Sequence, residues 1–416
     1  MDLTVLRESR DLRLLTIGQA FASVGTQAVL VAIPFQVYTL TRSAALVGLV
    51  GAAELVPLIV GSLVGGAWAD RYDRRGVLLV SQAVECAVAG GLAAAAFAGD
   101  PPVALVFVLA ALLAGVGAVV NVARSAAVPA LAGLRVRSAL SINFGVSQLA
   151  SIVGPGLGGL AIAAWGVEAV YLGDALGFGI LFAATAAMRP LPPTAPGEEP
   201  APGSLLRSIA EGLRFVRGNR TLLGSFVIDL GAMTFGMPRA LFAVLALTVY
   251  DAGASGTGLL YASVSAGATI AVLTTGWIEH ARWLGRITVG AVIVWGLAIA
   301  AAGLMPSLGP AALLLAIAGA ADSVSAVCRT NINQAATPEP MRGRMSAVFM
   351  LVVTSGPRLG DVESGLAASA LGAQAAVASG GLACVVAVGL VVWAFPQLVA
   401  YDGHRPMPGM PAPAEA

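Results

Sequence analysis

The chain has 416 residues, 58% of them apolar and only 11% charged, with a formal net charge of +1. A soluble domain is about 25% charged, so a soluble enzyme of ordinary surface is excluded, as is disorder, which needs low hydrophobicity; mean hydropathy is +0.87. The balanced charge offers no field that would attract nucleic acid.

Twelve apolar runs reach the roughly 20 residues needed to cross a bilayer. They lie near 14–40, 44–69, 76–98, 103–123, 140–164, 169–188, 221–249, 256–277, 287–305, 309–331, 345–369 and 374–395. The first is too long for a cleavable signal peptide and runs directly into the second. The sequence therefore predicts an all-α membrane protein of twelve transmembrane helices.

Every basic residue is an arginine. With the N-terminus in the cytoplasm, Arg7, Arg10, Arg13, Arg71, Arg74, Arg75, Arg135, Arg137, Arg189, Arg207, Arg214, Arg217, Arg220, Arg282, Arg286, Arg342, Arg344 and Arg405 fall on that side, and only Arg42 falls outside. This is the positive-inside pattern, and it predicts that both termini are cytoplasmic.

The middle of the chain is different. Residues 189–203 are Pro-rich and polar, which reads as a linker. Residues 204–217 place Leu205, Ile209, Leu213 and Val216 at helical spacing, predicting a short amphipathic helix on the inner membrane surface. The expected layout is a six-helix bundle at 1–190, a cytoplasmic linker with that helix at 191–220, a second bundle at 221–400 and a cytoplasmic tail at 401–416. Gly154-Pro155-x-x-Gly158-Gly159 returns as Gly356-Pro357-x-x-Gly360-Asp361 in the other half, as expected of two six-helix pseudo-repeats that close around a shared cavity.

Three stretches carry a resemblance. The loop after the second run reads Gly66-Ala67-Trp68-Ala69-Asp70-Arg71-Tyr72-Asp73-Arg74-Arg75. It resembles the G-x-x-x-D-R-x-G-R-R signature of the major facilitator superfamily, with Asp73 where many members carry Gly. The resemblance implies the major facilitator fold and a gating role for Gly66, Asp70, Arg71, Arg74 and Arg75. Gly66 would let a neighbouring helix approach, and Asp70 would hold a partner in one conformation and release it in the other. Gly145 and the Gly154, Pro155, Gly158, Gly159 segment resemble the antiporter motif of export-type members, although Ala150 stands where Gly is frequent. Such a segment can bend and seal against a neighbour. The stretches 229–242 and 258–262, the loop Met341-Arg342-Gly343-Arg344-Met345 and the segment 356–361 are together similar to the enterobactin-exporter branch, which is itself similar to the macrolide-efflux branch. This resemblance implies export of a siderophore such as a catecholate, with macrolide or multidrug efflux as the alternative.

Ionisable residues inside spans are costly and mark pathways or partners. They are Glu54, Glu85, Arg124, Asp174, Asp229, Arg239, Asp322, Arg329, Arg358, Asp361 and Glu363. Glu54, Asp229 and Asp322 are the candidates for proton coupling. Asp229 and Arg239 are about 15 Å apart along one helix, so each needs another partner. Arg358 and Asp361, three apart, share a face and read as a local ion pair; the sharper reading makes Arg358 a planar fork for catechol or carboxylate oxygens. Arg239 follows Pro238, where a kink would open backbone groups. By the family resemblance the first, fourth, seventh and tenth spans line the cavity. The candidate cavity residues are Gln27, Gln36, Asn121, Arg124, Arg239, Arg329, Asn331, Arg358 and Asp361.

Cys86, Cys328 and Cys384 are scattered and His280 and His404 lie far apart, so neither a disulfide framework nor a metal site is expected. No GxxxxGK[ST] or GxSxG segment occurs, so neither ATP-driven transport nor a membrane hydrolase is expected. The sequence thus predicts a monomeric, cofactor-free exporter in a bacterial inner membrane, whose partners are the bilayer, protons and an amphiphilic small molecule.

Overall fold

The computed structural model describes residues 4–192 and 204–403, and all regular structure among them is helical. His404 and the rest of the tail, with most of the Pro-rich linker, lie outside the described residues. The first stretch holds α1 (Thr4–Glu8), α2 (Arg10–Thr41), α3 (Ala44–Arg71), α4 (Arg74–Phe97), α5 (Val103–Ala132), α6 (Val136–Trp165) and α7 (Val167–Ala186). The second holds α8 (Ser204–Gly218), α9 (Arg220–Phe235), α10 (Leu241–Thr248), α11 (Gly253–Thr274), α12 (Leu284–Gly303), α13 (Leu308–Ala335), α14 (Arg342–Leu371), α15 (Ala373–Ala394) and α16 (Pro396–Val399).

Short polar side chains set the helix starts. Ser9 accepts from the Leu12 N–H at 3.2 Å and Ser43 from the Leu46 N–H at 3.3 Å. Asn219 accepts from Thr221 and Leu222 at the head of α9. Each satisfies amides that the first turn leaves without a partner.

Among the described residues, nine helical segments are long and apolar enough to cross a membrane. One of them, Val103–Trp165, contains both α5 and α6. The run expected to be one span at 221–249 is instead two helices: α9 stops at Phe235 and α10 starts at Leu241. Pro238 explains the break, because it has no N–H to donate and its ring crowds the preceding turn.

The chain forms two compact units, Met1–Glu199 with Phe242–Ala262, and Pro200–Leu241 with Ser263–Ala416. In the first, α2 packs on α6 and α7, α3 on α5, and α4 on α5 and α7. Leu12, Leu15, Leu78, Ala123 and Leu181 are fully buried at its core. In the second, α9 packs on α14 and α15, and α12 on α13 and α15. Glycines allow the tightest crossings: a Cβ on Gly61 would overlap the Gly115 carbonyl, and one on Gly319 the Val264 carbonyl. Such small-residue contacts let membrane helices pack backbone to backbone.

The second half of α8 has a protein partner for its apolar residues. Val216 is buried with Leu222, Phe226, Ala336, Met345 and Val348, and Leu213 and Phe215 pack against the same cluster. Glu211 pairs with Arg344 at 3.0 Å, tying α8 to the first turn of α14.

Candidate functional site

The loop between α3 and α4 is built by its charges. Asp73 caps α4, accepting from the Arg75 N–H at 3.2 Å, and the same oxygen accepts from the Leu191 N–H at 2.8 Å. Its φ of −55° needs no glycine, so aspartate at this place is no obstacle to the turn. Arg75 donates to the carbonyls of Thr185 at 3.1 Å and Ala186 at 2.6 Å, capping the end of α7, where a cation also suits the helix dipole. Arg74 donates to Ala69 and Ala126, both at 3.4 Å. Asp70 and Arg71 are exposed. No helix approaches Gly66 closely in this structure: nothing lies within 4 Å of a Cβ placed there. Gly61 and Gly65, one turn apart, face α5 instead, and Gly66 points some 100° further round the helix.

The glycine-proline segment of α6 has two working faces. Gly154 and Gly158 lie against α2, where a Cβ would stand 2.5 Å from the Gln27 Cβ and 2.9 Å from the Ala28 Cα. Pro155 and Gly159 lie against α11. A Cβ on Gly159 would stand 2.6 Å from the Ala254 carbonyl oxygen, and one on Gly258 2.5 Å from the Pro155 carbonyl oxygen. The i, i+4 spacing makes each pair one face.

The repeat of this segment in α14 keeps one face and changes the other. Gly356 and Gly360 lie against α9, with the Met233 carbonyl oxygen 2.5 Å from a Cβ at Gly360. At the position of Gly159 stands Asp361. Its Oδ1 accepts from the Ala240 N–H at 3.2 Å and its Oδ2 lies 3.8 Å from the Arg239 guanidinium. Pro238 breaks the helix and frees the Ala240 amide; Asp361 takes it up. Asp361 thus faces Arg239 from another segment, and Arg358, one turn before it on its own helix, acts on the same carboxylate. Arg358 is half-buried one turn before Asp361.

Asp229 and Arg239 each find a partner on another helix, as their separation requires. Arg329 of α13 pairs with Asp229 at 2.8 Å and lies 3.9 Å from Asp322. It also donates to the Ser325 hydroxyl at 2.9 Å. Asp229 and Arg329 are 2% and 3% exposed, so this is a buried ion pair.

The other candidates are spread through the units. Gln36 is buried and accepts from the Tyr171 hydroxyl at 2.7 Å, tying α2 to α7 within the first unit. Gln27 packs under Gly154. Arg124 donates to Asn121 one turn before it on α5. Glu54 is half-buried on α3, and Asn331 half-buried on α13 two residues beyond Arg329. Asp73, marked in the sequence only as a departure from the loop signature, acts as a two-way cap. Two groups were not singled out from sequence, Ser325 as a ligand of Arg329 and Tyr171 as the partner of Gln36; serine and tyrosine in apolar runs carry no pattern of their own.

Comparison with known proteins decides the family. The model of the Major Facilitator Superfamily matches residues 15–360. The chain belongs to the Major Facilitator Superfamily. It is therefore a multi-pass membrane transporter and not an enzyme. It is 31% identical to the enterobactin exporter EntS of Shigella boydii serotype 4 (strain Sb227), over 91% of each chain. It is 30% identical to that of Citrobacter koseri (strain ATCC BAA-895 / CDC 4225-83 / SGSC4696), over 86% of each. Among solved structures, the nucleoside transporter NupG matches with a TM-score of 0.74 at 14% identity, over 94% of this chain and 99% of that one. A bacterial homologue of the human lysosomal transporter Spinster matches with a TM-score of 0.73 at 15% identity, over 96% and 97%. These two likenesses establish the superfamily fold.

Proposed function

We propose that this transporter is a proton-coupled antiporter that exports a siderophore, of the enterobactin catecholate type, across a bacterial inner membrane by alternating access. The observation that carries the reading is the 31% identity to an enterobactin exporter over 91% of both chains. The Gly154–Gly159 segment, which resembles the export-type antiporter motif, supports the direction of transport. Eighteen arginines against one support twelve spans with both termini cytoplasmic, α9 and α10 together making the seventh. The layout is two six-helix bundles at 1–190 and 221–400, joined by the 191–220 linker. The protein works as a monomer without a cofactor.

In this reading Arg239 and Arg358 bind the substrate's paired oxygens, for which a planar guanidinium is suited. Asp361 lies 3.8 Å from Arg239 with its side chain 16% exposed, so an anionic substrate competes with it for the arginine. Displacing Asp361 also releases the Ala240 N–H and with it the helix break. Asp229, Asp322 and Glu54 are the proton-coupling candidates. Asp70 and Arg71, exposed in this structure, are the movable part of the gating loop, and Arg74 and Arg75 its fixed part.

The test is genetic. Under iron limitation a strain lacking the gene should retain its iron chelator inside the cell and secrete less of it. Normal secretion with raised macrolide sensitivity would assign the chain to drug efflux instead.

A further inference from the structure

The first unit holds two buried acids that none of the contacts above explains. Glu85 on α4 is 4% exposed and Asp174 on α7 is 1% exposed. Their helices pack directly, and their chain neighbours touch, the Cys86 thiol donating to the Ala175 carbonyl at 3.3 Å. Among the described residues neither acid has an ion pair, and Glu85 Oε2 and Asp174 Oδ1 have no hydrogen-bond partner. One turn before Glu85, Gln82 is 0% exposed with both amide atoms unpartnered. Gln82 and Glu85 share a face of α4.

The surroundings supply little counter-charge. From α2, Thr26 bonds to Asp174, and Gly25 brings its backbone against Asp174 Oδ1. From α5, Gly117 faces Glu85 Oε1. Asn121 and Arg124 follow on the same stripe at i+4 and i+7, so Arg124 stands about 10 Å along the axis from Gly117. Arg124 and Asp174 are the charges that act on Glu85. On α7 itself Tyr171 is engaged with Gln36, and α6 has no ionisable side chain beyond Arg137 in its first turn. Among the described residues Arg124 is thus the one cation acting on Glu85, and none acts on Asp174. An ionised carboxylate without a close partner is among the costliest groups to bury, and taking up a proton removes that cost.

We propose that Glu85 and Asp174 form a proton-binding site inside the first unit, with the buried Gln82 amide, on the same face of α4 as Glu85, as the neutral polar group beside it. The half-buried Arg124 and exposed Asn121 give this site a polar path to the surface of α5. It deepens the proton-coupled reading above by naming a titrating pair outside the candidates read from sequence.

The test is an infrared pH titration of the purified full-length protein in lipid nanodiscs, followed at the protonated-carboxyl C=O stretch. It needs no substrate, so its failure is separate from a failure of the export reading. Wild type should show a titrating band that is lost or displaced in midpoint in both Glu85→Gln and Asp174→Asn and unchanged in Asp100→Asn, at an exposed position between α4 and α5. Variant curves that superimpose on wild type would overturn the proposal. Should either variant misfold, dicyclohexylcarbodiimide labelling of wild type gives the same decision. A pH-dependent adduct on the Glu85 or Asp174 peptide supports the site, and adducts confined to other acids refute it.

Discussion

The two units share a glycine frame and use it differently. In α6, Gly154 and Gly158 lie against α2, and in α14, Gly356 and Gly360 lie against α9. The next position is Gly159 in one, pressed to the backbone of α11, and Asp361 in the other, reaching Arg239 and the Ala240 amide. Buried acids differ in the same sense. Asp229 has Arg329 at 2.8 Å, whereas Glu85 and Asp174 have no cation at ion-pair distance among the described residues. The first unit closes backbone on backbone and leaves its acids uncompensated. The second breaks a helix and joins its acids to arginines. A repeated scaffold thus lets one half be specialised for close packing and the other for charged contacts.

The largest effect is expected where the second unit's charge pairing is broken. Arg329→Met leaves Asp229 buried without its partner and should cost about 3–5 kcal/mol, read as a fall in thermal unfolding temperature in detergent. The double variant Asp229→Asn/Arg329→Met should recover much of the loss, and additive losses would show that the pair does not interact.

Exchanging the two frames comes next. Gly159→Val places side-chain atoms where the Ala254 carbonyl already stands 2.6 Å from a Cβ. Overpacking of this kind costs about 1–3 kcal/mol, and export should fall with it. Gly156→Val, at a site with nothing within 4 Å, is the control that should leave both unchanged.

The loop between α3 and α4 gives the smaller effects. Asp73→Ala removes an N-cap and the anchor of Leu191 and should cost about 1 kcal/mol, measured by the same unfolding assay. Asp70→Asn, exposed, should change stability by about 0.5 kcal/mol or less while impairing transport if Asp70 is part of the gate. Unimpaired transport would remove it from that role.

The all-helical, membrane-spanning character was legible because long apolar runs act over about twenty residues at a time. The loop signature and the repeated Gly-Pro segment were likewise readable as short patterns. Which residue faces which was not. Helical spacing placed Arg358 beside Asp361, where it acts on the carboxylate together with Arg239 and the Ala240 amide, and these last two depend on packing between segments distant in sequence. Gly66 was chosen by motif position, whereas Gly61 and Gly65 are the glycines that meet the backbone of α5. Asp229 and Arg239 needed partners, and only the fold could name Arg329 and Asp361.

The most direct test of the central claim is transport by the purified protein in proteoliposomes with an imposed pH gradient and iron-free enterobactin as cargo. The gradient should drive enterobactin against its concentration with counterflow of protons, and Arg239→Gln and Arg358→Gln should each reduce that flux about tenfold or more. Enterobactin flux that ignores the gradient, or a macrolide carried in its place, would contradict the central claim.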